Sequence, residues 1–343
     1  MTASEGKRII ECVPNFSEGR DMGVIRQITD AIESVSGASL IGVEPGEGTN
    51  RTVVTFVGPP EAVVEAAFRG ARKASEVIDM RRHHGTHPRM GATDVLPLVP
   101  VSGITLEECA QLARQLARRM ATEAGIPCYA YEAAALRPER KNLAVCRAGE
   151  YEALYEKLTN PDKRPDFMPS LPPTLSSEAV PQSVLRCGCT AVGARDFLIA
   201  VNWNLNTTSV PIAKAIAADV REKGGTLKGT KAIGWYIEEY GIAQVSMNMT
   251  NLHVTPLHAA FEEVSRCARN RGVCVTGTEI IGLVPQKSLT DAGRHFLERQ
   301  DLPQEESAQW SEEHLIKTAI QAMHLDDLKP FNPQEKVIEY LCR

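Results

Sequence analysis

The stretch IAQVSMNMT, residues 242–250, sets the architecture. Ala243, Val245, Met247 and Met249 alternate with Gln244, Ser246, Asn248 and Thr250, a period of two that only an extended strand turns into one apolar and one polar face. Just before it, residues 231–238 (KAIGWYIE) read as a second strand. Just after it, Thr255 as cap and Pro256 as first helical residue open a helix that points Leu257, Phe261, Val264 and Ala268 inward. Gly272 closes that helix ahead of a strand at 273–276. Upstream lie a strand at 197–205 and a helix carrying Ile212, Ile216 and Val220, closed by Gly224 and Gly225. The order is strand, helix, strand, strand, helix, strand.

The first half spells the same order. A strand at 8–13 precedes a helix with Ile25, Ile28, Ile32 and Val35 on one face. Strands at 39–43 and 51–57 flank the glycine-rich turn 45–48, and a helix at 60–80 leads to a strand at 94–101. A capping box of Thr105 and Glu108 opens a further helix, closed near Gly125 before a short strand at 128–131. These patterns predict an α+β protein, α/β in the broad sense, made of two subdomains of ferredoxin-like order. Each has its helices outside and a mixed sheet with one face left open. Asn202, Asn204 and Asn206 share one face of their strand. The open faces either oppose each other across a wet cleft or are simply solvated. Residues 160–188 hold prolines at 161, 165, 169, 172, 173 and 181 and break every period, so they are read as an interdomain loop. The expected subdomains are 1–188, including that loop, and 189–343, ending in a helix at 333–341.

At 343 residues, with 43% hydrophobic and 24% charged side chains, the chain is long enough for two well-buried cores. A formal net charge of −5 and the lack of any Lys/Arg-rich block argue against nucleic acid as partner. Local arginines must then attract any anionic ligand. No apolar stretch reaches membrane-spanning length, and the first seven residues are polar, which predicts a cytoplasmic protein with no membrane partner. The nine cysteines follow no repeated metal-ligand spacing. Cys187 and Cys189 are the one close pair, a weak signal for metal or redox chemistry.

Residues 83–91, HHGTHPRMG, put three of the eight histidines and an arginine between a helix and a strand. Imidazole both takes and gives protons near neutrality, so the segment is suited to proton transfer.

Seven runs then resemble one family in order: 9–19 (IIECVPNFSEG), 49–58 (TNRTVVTFVG), 83–95 (HHGTHPRMGATDV), 147–154 (RAGEYEAL), 192–205 (VGARDFLIAVNWNL), 231–251 (KAIGWYIEEYGIAQVSMNMTN) and 280–285 (IIGLVP). The resemblance is to the formiminotransferase domain of glutamate formiminotransferases, also the first half of formiminotransferase-cyclodeaminases. It implies two α/β subdomains whose sheets face each other around a folate-binding tunnel, and a homodimer. It implies transfer of the formimino group of N-formimino-L-glutamate, a product of histidine catabolism, to N5 of tetrahydrofolate as co-substrate, without metal. His87, just before Pro-Arg-Met-Gly, would be general base and acid. Arg51 and Arg89 would hold carboxylates, or form ordinary salt bridges. Asp94 would orient a histidine, or equally cap or pair at the start of its strand, and Glu44, Asn202, Asn204, Asn248, Pro169, Ser170 and Gly188 fall at folate- or substrate-binding positions.

The chain departs from the family in having Thr86 where a glutamate is common, Glu44 for aspartate, and a longer loop before Gly188. A separate cyclodeaminase is expected to act downstream. Two other readings stay open. His83 and His87 at i, i+4 could be a metal pair in an amidine or amide hydrolase, although Gly85 disfavours the helix this needs. The third is a folate-binding protein of the same fold without turnover.

Overall fold

Asp21 starts the first helix, its Oδ1 accepting the amides of Gly23 and Val24, and Ile25, Ile28 and Ile32 at helical spacing bury its inner face. The computed structural model describes residues 7–85, 87–172, 176, 179–238, 240–299 and 310–341. The chain divides into two units, Met1–Arg195 and Asp196–Leu341.

In the first unit the helices α1 (Met22–Glu33), α2 (Pro60–Val77) and α3 (Leu106–Glu123) pack on one face of a seven-stranded sheet. The strands are β1 (Ile9–Cys12), β2 (Asn15–Phe16), β3 (Ser39–Gly46), β4 (Arg51–Gly58), β5 (Thr93–Ser102), β6 (Cys128–Glu132) and β7 (Thr190–Ala194). Across the sheet β3 pairs with β4, β4 with β1 and β2, and these with β5, all antiparallel, which is the ferredoxin-like order. The capping box at Thr105 forms as expected. Ile32, Phe56 and Leu98 are fully buried between helices and sheet, each worth about 1.5–3 kcal/mol of burial.

Strand β7 departs from expectation. It inserts between β5 and β6, parallel to both, so the first unit runs to Arg195, beyond the 188 boundary. Its sequence, TAVGA, is buried at every position and carries no alternation. A strand covered on both faces has no reason to alternate. Three short helices provide the second cover: α4 (Leu143–Arg147), α5 (Leu154–Thr159) and α6 (Gln182–Cys187). Their Cys146, Leu154, Leu158 and Val184 bury Val95, Tyr129, Tyr131 and Ala191. Helices therefore sit on both sides of this part of the sheet, and α6 lies inside the segment whose prolines predict a loop.

In the second unit the antiparallel order is β11 (Val275–Ile281), β8 (Ile199–Leu205), β10 (Ile242–Met249), β9 (Thr230–Ile237), again ferredoxin-like. Helices α7 (Val210–Val220) and α8 (Leu257–Arg269) carry the apolar faces expected of them. Thr255 is not the cap, because its hydroxyl donates to Lys228 O and Pro256 takes that place. Helices α9 (Gln286–Glu298) and α10 (Glu312–Ala322) pack against each other. The predicted helix at 333–341 is instead one turn, Pro333–Lys336, then a 3-10 turn, Ile338–Tyr340, parted by the Val284–Val337 bridge. Among the described residues no helix is long and apolar enough to cross a membrane.

Candidate active site

The path of the histidine segment depends on glycines at two close approaches. A Cβ on Gly85 would lie 2.1 Å from the Thr49 carbonyl oxygen. Gly91 bridges Gly188, which has φ +67° and where a Cβ would lie 2.3 Å from Met90 O. Gly188, expected at a folate-binding position, thus joins the end of α6 to the segment.

His83 is buried, and its Nε2 lies 2.8 Å from Asn50 O. A carbonyl can only accept, so Nε2 carries the hydrogen. Burial, above all, lowers its pKa. Asn50 in turn donates to His84 O at 2.9 Å and accepts from Gly19 N at 3.0 Å, tying three segments together. These contacts make His83 a fastening of the segment. The chain around the described residues of 81–90 is turn and irregular structure, not the helix that a metal pair at i, i+4 needs. Thr86 lies outside the described residues.

His87 is half-buried, and its Nδ1 lies 2.7 Å from Pro88 O. By the same logic Nδ1–H donates, and the lone pair sits on Nε2. Burial lowers the His87 pKa most, the bond to Pro88 opposes it, and the positive charges of Arg51 and Arg147 lower it further against Asp94. The neutral, basic form is favoured.

Asp94, fully buried at the start of β5, accepts Met90 N on Oδ1 at 3.0 Å. Its Oδ2 receives both Arg51 Nη1 at 2.6 Å and Arg147 Nη2 at 2.5 Å. Among the described residues it pairs with two arginines at the start of its strand, the second of the two roles expected of it, and holds no histidine. Arg51, first residue of β4, also donates from Nε to Asn15 Oδ1 at 2.9 Å. Arg89 has both ends of its fork engaged by Glu152, at 2.8 and 2.6 Å, with Glu150 at 3.0 Å. Both arginines thus form the ion pairs of the salt-bridge alternative, Arg51 with Asp94 and Arg89 with Glu150 and Glu152.

Glu44 is exposed on the edge strand β3, opposite Val53. Pro169 is half-buried and Ser170 exposed, just beyond the bridge of Phe167 to Cys128. Burial pushes the Cys189 thiol up to about 12 and Cys187 higher still, which argues against a thiolate site. Among the described residues no group of three or more His, Cys, Asp or Glu is placed to hold a metal.

The expected asparagines share the second unit's sheet face, away from its helices. Trp235 Nε1 donates to Gln244 Oε1 at 3.1 Å, Gln244 Nε2 to Asn204 Oδ1 at 2.7 Å, and Asn204 Nδ2 to Asp327 Oδ2 at 3.3 Å. Asn202 donates to Glu279 at 3.3 Å, and Asn248 is exposed. The structure thus gathers His87, Arg51 and Asp94 in the first unit and the asparagines in the second. Sequence reasoning missed Asn50 and Arg147 as site residues. Arg147 opens the run RAGEYEAL, but a lone arginine on a five-residue helix carries no periodic signal.

Fold and site define a class of two-unit α+β protein, each unit of strand-helix-strand-strand-helix-strand order, with an imidazole beside an arginine–carboxylate cluster in the first. The chain belongs to the formiminotransferase domain family. The family's N-terminal subdomain model matches residues 9–195 and its formiminotransferase domain model residues 200–343. A formimidoyltransferase-cyclodeaminase of Gallus gallus is 46% identical over 98% of this chain and 60% of its own length. Glutamate formimidoyltransferases of Streptococcus pyogenes and Thermoplasma acidophilum are 44% and 42% identical, covering 86% and 84% of this chain and 95% and 92% of theirs. The chain spans about three-fifths of the animal relatives it matches, 60% of each.

Proposed function

We propose that this protein transfers the formimino group of N-formimino-L-glutamate to N5 of tetrahydrofolate, with His87 as general base and then acid. The observation that carries the reading is the His87 imidazole, its Nδ1–H held by Pro88 O so that Nε2 keeps its lone pair, on a chain of this family. N5 attacks the amidine carbon and forms the new C–N bond. His87 Nε2 takes the N5 proton and returns it to the glutamate nitrogen. The bond from carbon to that nitrogen then breaks, its electron pair leaving with the nitrogen. The products are glutamate and the N5-formimino folate, and His87 ends as it began. Such proton relay is worth roughly 10² to 10⁴ in rate, with alignment of the two substrates supplying much of the rest.

Arg51 and the sheet face bearing Asn202, Asn204 and Asn248 are the substrate- and folate-binding groups of this reading, with Gly188 holding the loop in place. The second activity named in the animal relatives, a cyclodeaminase, is the class of reaction that would consume the product. The reading extends to a cytoplasmic protein and to a homodimer, the second of which light scattering on the purified protein would check. The deciding experiment is His87→Gln. Formimino transfer should fall at least about 100-fold while circular dichroism stays unchanged. A variant with the wild-type kcat would overturn the role of His87.

A further inference from the structure

Two guanidinium groups converge on one carboxylate beside His87. Arg51 and Arg147 both bond Asp94 Oδ2, with side chains 9%, 18% and 0% exposed respectively. Counted as formal charges, the cluster carries one positive charge that nothing within it cancels. Arg147 Nε is buried and without a hydrogen-bond partner. The contacts of Arg51 use Nε and Nη1, leaving Nη2 open among the described residues. Burying an uncompensated cation and an orphaned N–H is unfavourable, and a bound anion offsets that. The planar fork of arginine matches a carboxylate, the anionic group that the donor of this reading carries.

We infer that Arg147, aligned with Arg51 by Asp94, binds the α-carboxylate of the glutamate donor and sets its specificity. This deepens the reading above and rests on it for the identity of the donor. The chemistry picks out which carboxylate. The nitrogen that receives the proton from His87 is attached to the α-carbon, so the α-carboxylate is the charged group nearest the reacting centre. The side-chain carboxylate is two methylenes further away, and the carboxylates of a folate tail lie beyond an aromatic ring from N5. Asp94 acts as a positioning residue. It fixes both forks and, through Met90 N, the end of the histidine segment.

The test compares N-formimino-L-glutamate with N-formimino-4-aminobutyrate, the same donor without its α-carboxylate, on wild type and Arg147→Ala. Wild type should prefer the complete donor in kcat/KM by about 10- to 100-fold, the range for a charged hydrogen-bonded contact. Arg147→Ala should bring that ratio close to one by raising KM for the complete donor, leaving KM for tetrahydrofolate unchanged. A ratio preserved in the variant overturns the inference. So does a rise confined to the tetrahydrofolate KM, which would assign the site to the folate tail.

Calorimetry with L-glutamate and 4-aminobutyrate gives a readout without turnover, and wild type should bind the first more tightly and Arg147→Ala should not. If wild type transfers from neither donor, the proposed reaction fails, while the calorimetric difference still decides the carboxylate site. Should Arg147→Ala fail to fold, Arg147→Lys, which keeps the charge but not the fork, takes its place. A reduced preference at unchanged circular dichroism supports the inference, and a full one overturns it.

Discussion

Replacing Asp94 by Asn tests whether this cluster holds the first unit together. The substitution keeps the shape and an oxygen for Met90 N, but removes the one anion that two arginines share at 2.6 and 2.5 Å. Leaving a buried charge without its partner costs about 3–5 kcal/mol. Arg147, 18% exposed, can turn towards water, which favours the lower figure, about 3 kcal/mol. At 1.4 kcal/mol per factor of ten, amide exchange by global opening should speed up roughly 100-fold. The three tryptophans, at positions 203, 235 and 310, all lie in the second unit. Tryptophan fluorescence therefore reports the wrong unit, and the assay is hydrogen exchange read by mass spectrometry on peptides from β4 and β5. Asp94→Asn combined with Arg147→Met, which removes one of the two cations, should recover part of the loss. Exchange in Asp94→Asn within about threefold of wild type would show that the cluster contributes little and that the charge argument is wrong.

Three further outcomes are expected. Burial raises the Glu11 pKa from its ordinary 4.5 to about 7 against the charge of Arg195. A carboxyl that binds its proton more tightly when folded contributes stability that is full below about pH 4.5 and is lost as pH rises through 7. Glu11→Gln should therefore unfold at higher denaturant than wild type at pH 8, by about 3 kcal/mol, and match it near pH 4.5; equal midpoints at pH 8 would count against it. Gly188→Ala meets both a left-handed φ of +67° and the Met90 carbonyl, so thermal unfolding of the first unit should show a loss of about 2 kcal/mol or more. Because the His87 pKa is lowered from its ordinary 6.5, the base stays neutral into mild acid, and kcat/KM should fall along an acid limb with its midpoint below 6.5; a midpoint at or above 6.5 contradicts the placement of this imidazole.

Much of the fold was legible because local patterns and tertiary needs agree. The period-two alternation of β10 survives because one face meets α7 and the other carries amides. Ile25, Ile28 and Ile32 lie at helical spacing because that helix has one side on the sheet. Strand β7 escaped for the opposite reason, being covered on both faces and built of small residues. Its parallel partners are also distant in sequence. The short helices α4 to α6 are held by contacts to Tyr129, Tyr131 and Val95 more than by their own periodicity.

The histidine segment could be located from the chain, but not the state of its groups. Residue order alone determined two units of the same element order, the segment at 83–91, and the family. Only the tertiary structure decided that His83 fastens the loop, that Arg89 is taken up by Glu150 and Glu152, and that Arg51 and Arg147 meet on Asp94. The physical reason is range. Periodicity, caps and turns are set by neighbours within a few residues, whereas a buried ion cluster depends on which distant side chains the fold brings within a few ångströms.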